Sequence, residues 1–391
     1  MPGCAANGAS GPVRRAKGSC VMKAVINGRF LAQPMSGVQR YAGEIVQALD
    51  AALATGAIAH DVEWVLVTPE PAEVPFDLRA IRLQRVGRWI DHRWDQVTLA
   101  QAARGARLLS LAGSGPLLHP RHLVVIHDAA VYRHPEHFSR AYRLVHATAG
   151  RILARTARLA TVSEFSRDEL AAILKVPGSA IRVAPNGWEH LARVQADEAG
   201  ALRLAGEAPF FVTVGNLTRN KNLSVAIEAF RRLEPGAARL VVVGRADARI
   251  FGAEPVPADG NVIFAGRQSD EVLAGLLRRS RALIFPSLYE GFGIPPLEAM
   301  AAGTRVLASR AAAVVEVCDG VADFFDAHDA DGLARLMGAV LAEPPAIRAA
   351  RIEAGRERLA RYSWARSARL LAQGLLSPGR VPAGEPELAA G

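Results

Sequence analysis

The sequence predicts an α/β protein made of two parallel-sheet domains that face one another across a deep cleft. Three observations carry this reading. Strand-like apolar runs alternate with helix-period segments from Lys23 onward, the rhythm restarts after residue 208, and a polar, alanine-rich stretch separates the two series. A chain of 391 residues, half of them apolar, is long enough to bury two cores and exceeds one ordinary domain.

In the first series KAVINGRF reads as a strand, LAQPMSGVQ as a turn and RYAGEIVQALDAAL as a helix. EWVLVT and IRLQRV follow as strands, and WDQVTLAQAARGARLLSLAG as a helix with a short apolar run behind it. HLVVIHD is strand-like, FSRAYRLVHATAGRILARTARLATVSE is helix then strand, SRDELAAIL is a helix, and IRVAPNG is a strand ending in a turn. The second series repeats the rhythm in PFFVTVGNLTRNKNLSVAIEAFRRL, ARLVVVGRAD, NVIFAGRQSDEVLAGLLRRSRALIFPS and EAMAAGTRVLAS. The expected boundaries are a first domain at 22–190, a linker at 191–208, a second domain at 209–360 and a closing helix at 361–376. Residues 1–21, rich in Gly, Ser and Pro and without an apolar h-region, read as a disordered leader, and 377–391 as a frayed tail.

The formal charge is +9, and three of the positive charges, on Arg14, Arg15 and Lys17, lie in the leader. A basic surface suits phosphorylated substrates, anionic lipid or nucleic acid. Aromatic residues make up only 6%, and no Lys/Arg tract is interleaved with stacking residues, which argues against a nucleic-acid platform. Cys4, Cys20 and Cys318 form neither a disulfide framework nor a metal-ligand spacing, which fits a reducing cytosol. No uninterrupted apolar run reaches the roughly 18 residues of a membrane-spanning helix.

Ligands of open α/β sheets bind where the strands end, so the strand-end loops carry the chemistry. In SGVQRY, Gly37 permits close backbone approach just before a helix whose free amides suit an anion; a tight turn with Gly37 at positive φ accounts for it equally. His127 and Asp128 close the apolar run VVIHD, where His127 is placed to donate to a sugar hydroxyl or to serve structurally. His134 and His137 are three apart but have no third ligand in sequence, so no metal site is expected. In VGNLTRNKNL, Asn216, Arg219 and Lys221 follow a strand and precede a helix start, a pattern suited to clamping a diphosphate or to a solvated basic loop.

The most informative loop is YEGFGIPPLEAMAAG. Gly291 and Gly293 free the backbone between strand and helix, Pro295 and Pro296 suit a first helical turn, and Glu298 falls where a carboxylate is favoured by that turn. Glu290, ahead of the glycines, has no capping role to explain it. The two carboxylates are separated by the loop, which leaves them able to face different parts of one ligand.

The block from Glu290 to Glu298 within PSLYEGFGIPPLEAMAAGTRVLAS resembles the signature of retaining, nucleotide-sugar-dependent glycosyltransferases of family 4. VVIHD with HPEHF, TVSEFSRDELA, IRVAPNG, KNLSVAIEAF, FAGRQSDEVLAGLLRRSRALIFPS and YSWARSARLL match the same family in order, across nearly all of 22–376. The resemblance implies a GT-B fold of two Rossmann-like domains, with the closing helix returning toward the first. It implies metal-independent transfer of a sugar, mannose from GDP-mannose first and UDP-sugars next, with no cofactor besides this co-substrate. The acceptor would be a glycan or lipid-linked glycan in envelope or exopolysaccharide synthesis, in the cytoplasm or at the inner face of the membrane. Glu298 would hold the ribose, Lys221 would neutralise the diphosphate, and Gly37 would approach the same phosphates. His127 would contact the sugar, with Glu290 and the backbone of Gly291, Phe292, Gly293 and Ile294 beside it. Many relatives carry arginine where Asn216 stands, and Arg219 is the nearest substitute. A nucleotide-sugar epimerase or hydrolase, or a decayed sugar-binding protein, is the alternative. His137, Arg140, Arg143, Arg151, Arg155 and Arg158 fall on one helical side and suit either anionic lipid or plain solvation.

Overall fold

The computed structural model describes residues 22–58, 61–215, 218–244 and 260–377. The leader, most of the tail and Asn216 lie outside them.

The first domain is a seven-stranded sheet, with strands β1 (Met22–Asn27), β2 (Val62–Thr68), β3 (Arg82–Arg85), β4 (Arg107–Ser110), β5 (His122–Val125), β6 (Arg158–Thr161) and β7 (Ile181–Val183). Their spatial order is β3-β2-β1-β4-β5-β6-β7, and every pairing is parallel. Ala24, Val25 and Ile26 are all fully buried. Such a continuous apolar run, rather than alternation, marks a strand covered by helices on both faces. The covering helices include α1 (Gly37–Ala54), α2 (Arg140–Thr156) and α3 (Glu164–Leu174). Tyr41, Ile45, Val46, Leu49 and Leu53 recur at helical spacing on α1 and enter the core. Trp94–Leu99 winds as a π-helix whose wide turn keeps Trp94, Asp95 and Leu99 buried.

The second domain repeats the plan with β8 (Phe210–Val214), β9 (Arg239–Val243), β10 (Val262–Gly266), β11 (Ala282–Phe285), β12 (Arg305–Ser309) and β13 (Asp323–Phe325), in the order β10-β9-β8-β11-β12-β13, again all parallel. Its helices are α4 (Glu198–Ala205), α5 (Leu223–Phe230), α6 (Asp270–Arg279), α7 (Ile294–Ala301), α8 (Ala312–Cys318), α9 (Ala330–Leu341) and α10 (Pro345–Leu359). The final helix α11 (Trp364–Leu376) packs on α1 and on β4, β5 and β7, back on the first domain.

Three details depart from the sequence reading. The 191–208 stretch is largely structured: α4 lies within it, capped by Asp197 and packed on α6, because its alanines and Leu204 find an apolar partner there. The basic face is shorter than the helical wheel implied. His137 belongs to a 3₁₀ turn ahead of α2, and Arg158 lies in β6, where its Nη1 donates to the Gly374 carbonyl at 2.7 Å. Glu298 is the fifth residue of α7, not part of its first turn, because the helix begins at Ile294, ahead of the prolines.

The domains are closed on one another. Arg40 on α1 forms a bidentate pair with Asp270 at the start of α6, at 2.7 and 2.6 Å. Ser163 and Ser166 donate to the Gly291 carbonyl at 2.6 and 2.9 Å. The amides of Glu164 and Phe165, at the N-terminus of α3, donate to the Glu316 carboxylate of α8 at 2.9 and 2.8 Å. No helix among the described residues is long and apolar enough to cross a membrane.

Candidate functional site

A cavity of about 370 Å³ opens between the C-terminal ends of the two sheets. Gly37, Arg40, His127 and Asp128 line it from the first domain; Lys221, Arg267, Glu290 and Glu298 line it from the second. Of the other residues selected from sequence, Gly291, Phe292, Gly293 and Ile294 also reach this space, Arg219 does not, and Asn216 lies outside the described residues.

Lys221 is set by its neighbour. Asn222 adopts the left-handed conformation (φ 50°), and its side-chain amide donates to the carbonyls of Pro286 and Ala327 at 3.2 and 2.6 Å. That anchors the turn which aims Lys221 into the cavity. The Lys221 ammonium pairs with the Glu290 carboxylate and lies 5.5 Å from the Phe285 ring. Glu290 therefore has a partner, the missing explanation in the sequence. Arg219 is exposed and does not line the cavity; among the described residues the guanidiniums present there are those of Arg40 and Arg267. Arg267 donates to the Met35 carbonyl across the cleft at 3.2 Å.

The loop from Gly291 to Ile294 lines the cavity. A Cβ on Gly291 would sit 2.2 Å from the His127 carbonyl oxygen, so glycine is what lets the two domains' backbones touch. Gly293 has φ +99° and forms the N-cap of α7. The Phe292 side chain is buried against Tyr362 with ring centroids 5.5 Å apart, leaving its backbone as the part offered to a ligand. Glu298 is buried and accepts from His190 Nε2 at 2.9 Å, while His190 Nδ1 accepts from the Trp364 indole at 3.2 Å. This chain fixes the carboxylate's direction.

Gly37 is the first residue of α1, and its φ is not positive, so the tight-turn explanation does not hold. No side chain caps the helix: the Ser36 hydroxyl turns to Gln39 instead. An added Cβ would meet only Ile294, at 3.7 Å. The protein itself thus has no steric need for glycine there. An uncapped helix N-terminus facing a cavity is an anion site in waiting.

His127 Nε2 lies 2.8 Å from the Leu111 carbonyl, and its ring meets Tyr41 edge-on at 4.8 Å. A carbonyl only accepts, so Nε2 carries the proton. Burial holds the imidazole below its usual pKa, and the neutral ring presents Nδ1 as an acceptor. The ring thus offers the cavity an acceptor rather than the donor expected from sequence. Burial, with Glu290 adding to it, raises the Asp128 carboxyl. The structure also supplies the third group that the sequence lacked beside His134 and His137: the Glu136 carboxylate is 3.3 and 3.7 Å from their ring nitrogens. The ligand atoms of all three lie within 4.8 Å of one another, the two imidazole planes are 13° from parallel, and Glu136 and His137 are exposed. Arg40, Asp270, Arg267 and His190 escaped sequence reading because each matters through a partner more than 60 residues away.

Residues 194–358 match the family model described as Glycosyl transferases group 1. The chain is 29% identical over 203 residues to an uncharacterised glycosyltransferase of Methanocaldococcus jannaschii, covering 49% of this chain and 52% of that one. It is 28% identical over 322 residues to the MMP alpha-(1->4)-mannosyltransferase of Mycolicibacterium hassiacum, covering 77% and 74%. The solved structure of sucrose-phosphate synthase from Thermosynechococcus elongatus superposes with a TM-score of 0.68 over 90% of this chain and 98% of that one, at 19% identity. The chain spans about half the length, or less, of the first curated relatives it matches. Two parallel-sheet domains closing on a central cleft define a GT-B protein. Within that class, the chain is related to the group 1 glycosyltransferases through its second domain.

Proposed function

We propose that the protein is a retaining glycosyltransferase that moves a sugar from a nucleoside-diphosphate sugar to a glycan or lipid-linked glycan. The observation that carries this reading is the convergence of Lys221, Glu290, Glu298 and the uncapped start of α1 on one cavity shared by both domains. Glu298, held by His190, takes the ribose diol. The diphosphate lies against Lys221 and the α1 amides, and competes with Glu290 for the ammonium. The sugar lies between His127 Nδ1, Glu290 and the Gly291–Ile294 backbone.

In the transfer step the bond from the anomeric carbon to the diphosphate oxygen breaks as the acceptor oxygen bonds to that carbon on the same face. The acceptor proton passes to the departing phosphate oxygen. Charge grows on the diphosphate as the bond breaks, so Lys221 and the α1 N-terminus bind the transition state more tightly than the ground state. GDP-mannose is the first donor to test and UDP-sugars the next; the mannosyltransferase names of several relatives support that order. The proposed setting is the cytoplasm, with the exposed Arg140, Arg143, Arg151 and Arg155 of α2 resting on anionic lipid.

The test is a thermal-shift panel of GDP-, UDP-, dTDP- and ADP-sugars on the purified protein, followed by product analysis with and without acceptor. One nucleotide sugar is expected to raise Tm and to be consumed. Consumption of the donor alone to an epimer, or no stabilisation by any of the four, overturns the reading.

A further inference from the structure

A second cavity, of about 540 Å³, lies at the opposite end of the first sheet from the cleft. It opens where three neighbouring strands begin: Arg107 is the first residue of β4, His122 of β5 and Arg158 of β6. Arg121, His119 and Leu375 of α11 also line it. The strands are parallel and end at the cleft, so a ligand held at their beginnings does not compete with one bound there.

Among the described residues, the cavity is lined by three guanidiniums and by no carboxylate. Arg107 has neutral partners: its Nε lies 3.2 Å from Met22 Sδ, and its Nη1 donates to the Leu375 and Ser377 carbonyls at 2.6 and 3.2 Å. Arg158 Nη1 donates to the same Ser377 carbonyl at 3.1 Å, so two like charges converge on one oxygen. The fold accounts for part of this, because the last carbonyls of α11 lack helical partners and cations suit a helix C-terminus. It does not account for Arg121, which stands exposed at the rim and donates only to the Gly105 carbonyl, at 3.3 Å. Burial, then Arg158 and Arg121, hold the Arg107 guanidinium below its ordinary pKa, a mark of crowded like charge. His119 and His122 add no charge at neutral pH, since burial keeps both below the usual histidine range.

We infer that this cavity is a second anion site, and that it takes a small soluble molecule bearing a phosphate or diphosphate group. A planar guanidinium donates two parallel N–H bonds to phosphate oxygens, and three such forks around one space match a polyanion. The volume falls within the roughly 300–1,000 Å³ of small-molecule sites, more than a bare phosphate fills. An anion there offsets the repulsion among the guanidiniums that hold the end of α11. The site stands apart from the transferase reading, because none of its residues lines the cleft.

The test measures binding away from the cleft. Inorganic phosphate and pyrophosphate are titrated by calorimetry against the 391-residue chain carrying Lys221→Ala, which weakens anion binding in the cleft. Arg121→Gln, Arg121→Lys and Arg107→Gln are each added to that background and checked for an unchanged Tm without ligand. Arg121 makes one long hydrogen bond, so its replacement leaves the fold intact even where that of Arg107 loosens α11. The expected result is saturable pyrophosphate binding by Lys221→Ala with a rise in Tm. Adding Arg121→Gln or Arg107→Gln should weaken it about tenfold, and Arg121→Lys should recover part of the loss. No binding of either anion by Lys221→Ala overturns the inference, as does an affinity that both glutamine variants leave unchanged. A parallel arm measures co-sedimentation with phosphatidic acid vesicles. Sedimentation that Arg121→Gln abolishes, with pyrophosphate affinity unaltered, assigns the arginines to a lipid surface and overturns it. Pyrophosphate binding that emerges only with Glu385→Gln and Glu387→Gln assigns the cavity to the chain's own acidic segment and overturns it as well.

Discussion

Gly291→Ala is the sharpest perturbation of the closed cleft. The added Cβ would lie 2.2 Å from the His127 carbonyl oxygen and 2.9 Å from Asp128 Cβ. Ordinary carbon–oxygen contact needs about 1 Å more, so the two loops must part by that amount. Parting them stretches both hydrogen bonds to the Gly291 carbonyl, from Ser163 and Ser166. At about 1 kcal/mol each, their loss disfavours closure by about 2 kcal/mol, roughly 30-fold in the closed population. Each domain keeps its own core, so Tm should move little. The assay is kcat/KM with the donor found in the thermal-shift panel, alongside Gly37→Ala. In that variant the new Cβ meets only Ile294, at 3.7 Å, which the fold tolerates, but it projects toward the proposed phosphate site. The expected outcome is a 10- to 100-fold fall for Gly291→Ala, following from about 2 kcal/mol. For Gly37→Ala the expected change is weaker donor binding at unchanged stability. Wild-type kcat/KM in Gly291→Ala would refute the argument that backbone contact at this point completes the site.

Three further outcomes are expected. Lys221→Ala should lower kcat by about 10²–10³, the usual effect of removing one preorganised charge from a developing anion, and steady-state kinetics will read it. Glu298→Gln should raise the donor KM by about tenfold or more, because its carboxylate is lost to the ribose and weakened toward His190; nucleotide titration calorimetry checks it. His122 is buried beside Ser110 with its pKa pushed down to about 3. A folded-state pKa below the ordinary value stabilises the neutral form, and that contribution is present above about pH 6.5 and lost as pH falls toward 3. His122 should thus contribute about 2 kcal/mol less stability at pH 5 than at pH 7, adding to the same-sign effect of His119 and His127, which burial also holds low; urea unfolding of His122→Asn should show the pH 5 to pH 7 difference reduced by about that amount.

The fold was legible because parallel strands buried on both faces write themselves as apolar runs, as in VVIHD and RALIFPS, and crossover helices restore the 3.6-residue period between them. Asp197 capping α4 and the alanines behind it were misread as a linker, since alanine-rich polar sequence becomes helix only when a neighbour such as α6 buries one face. In the site, Glu290, Lys221 and Glu298 were visible from the local loop chemistry that surrounds them. Their settings were not: the Lys221–Glu290 pair, the His190 hold on Glu298 and the Arg40–Asp270 pair join residues that only the tertiary fold brings together. Gly37 was singled out for a reason that the backbone does not support, since its φ is not positive and an added Cβ would meet only Ile294.

The chain passes between the domains twice, after β7 and again between α10 and α11. The two passages are stitched together: the Glu189 carboxylate accepts from the Trp364 amide at 3.2 Å, and a Cβ on Gly187 would meet that amide nitrogen at 2.4 Å. A single connecting strand would act as a ball joint, free to twist. Two joined crossings act as a door with paired pins, restricting how the second domain can turn against the first more than a lone crossing would.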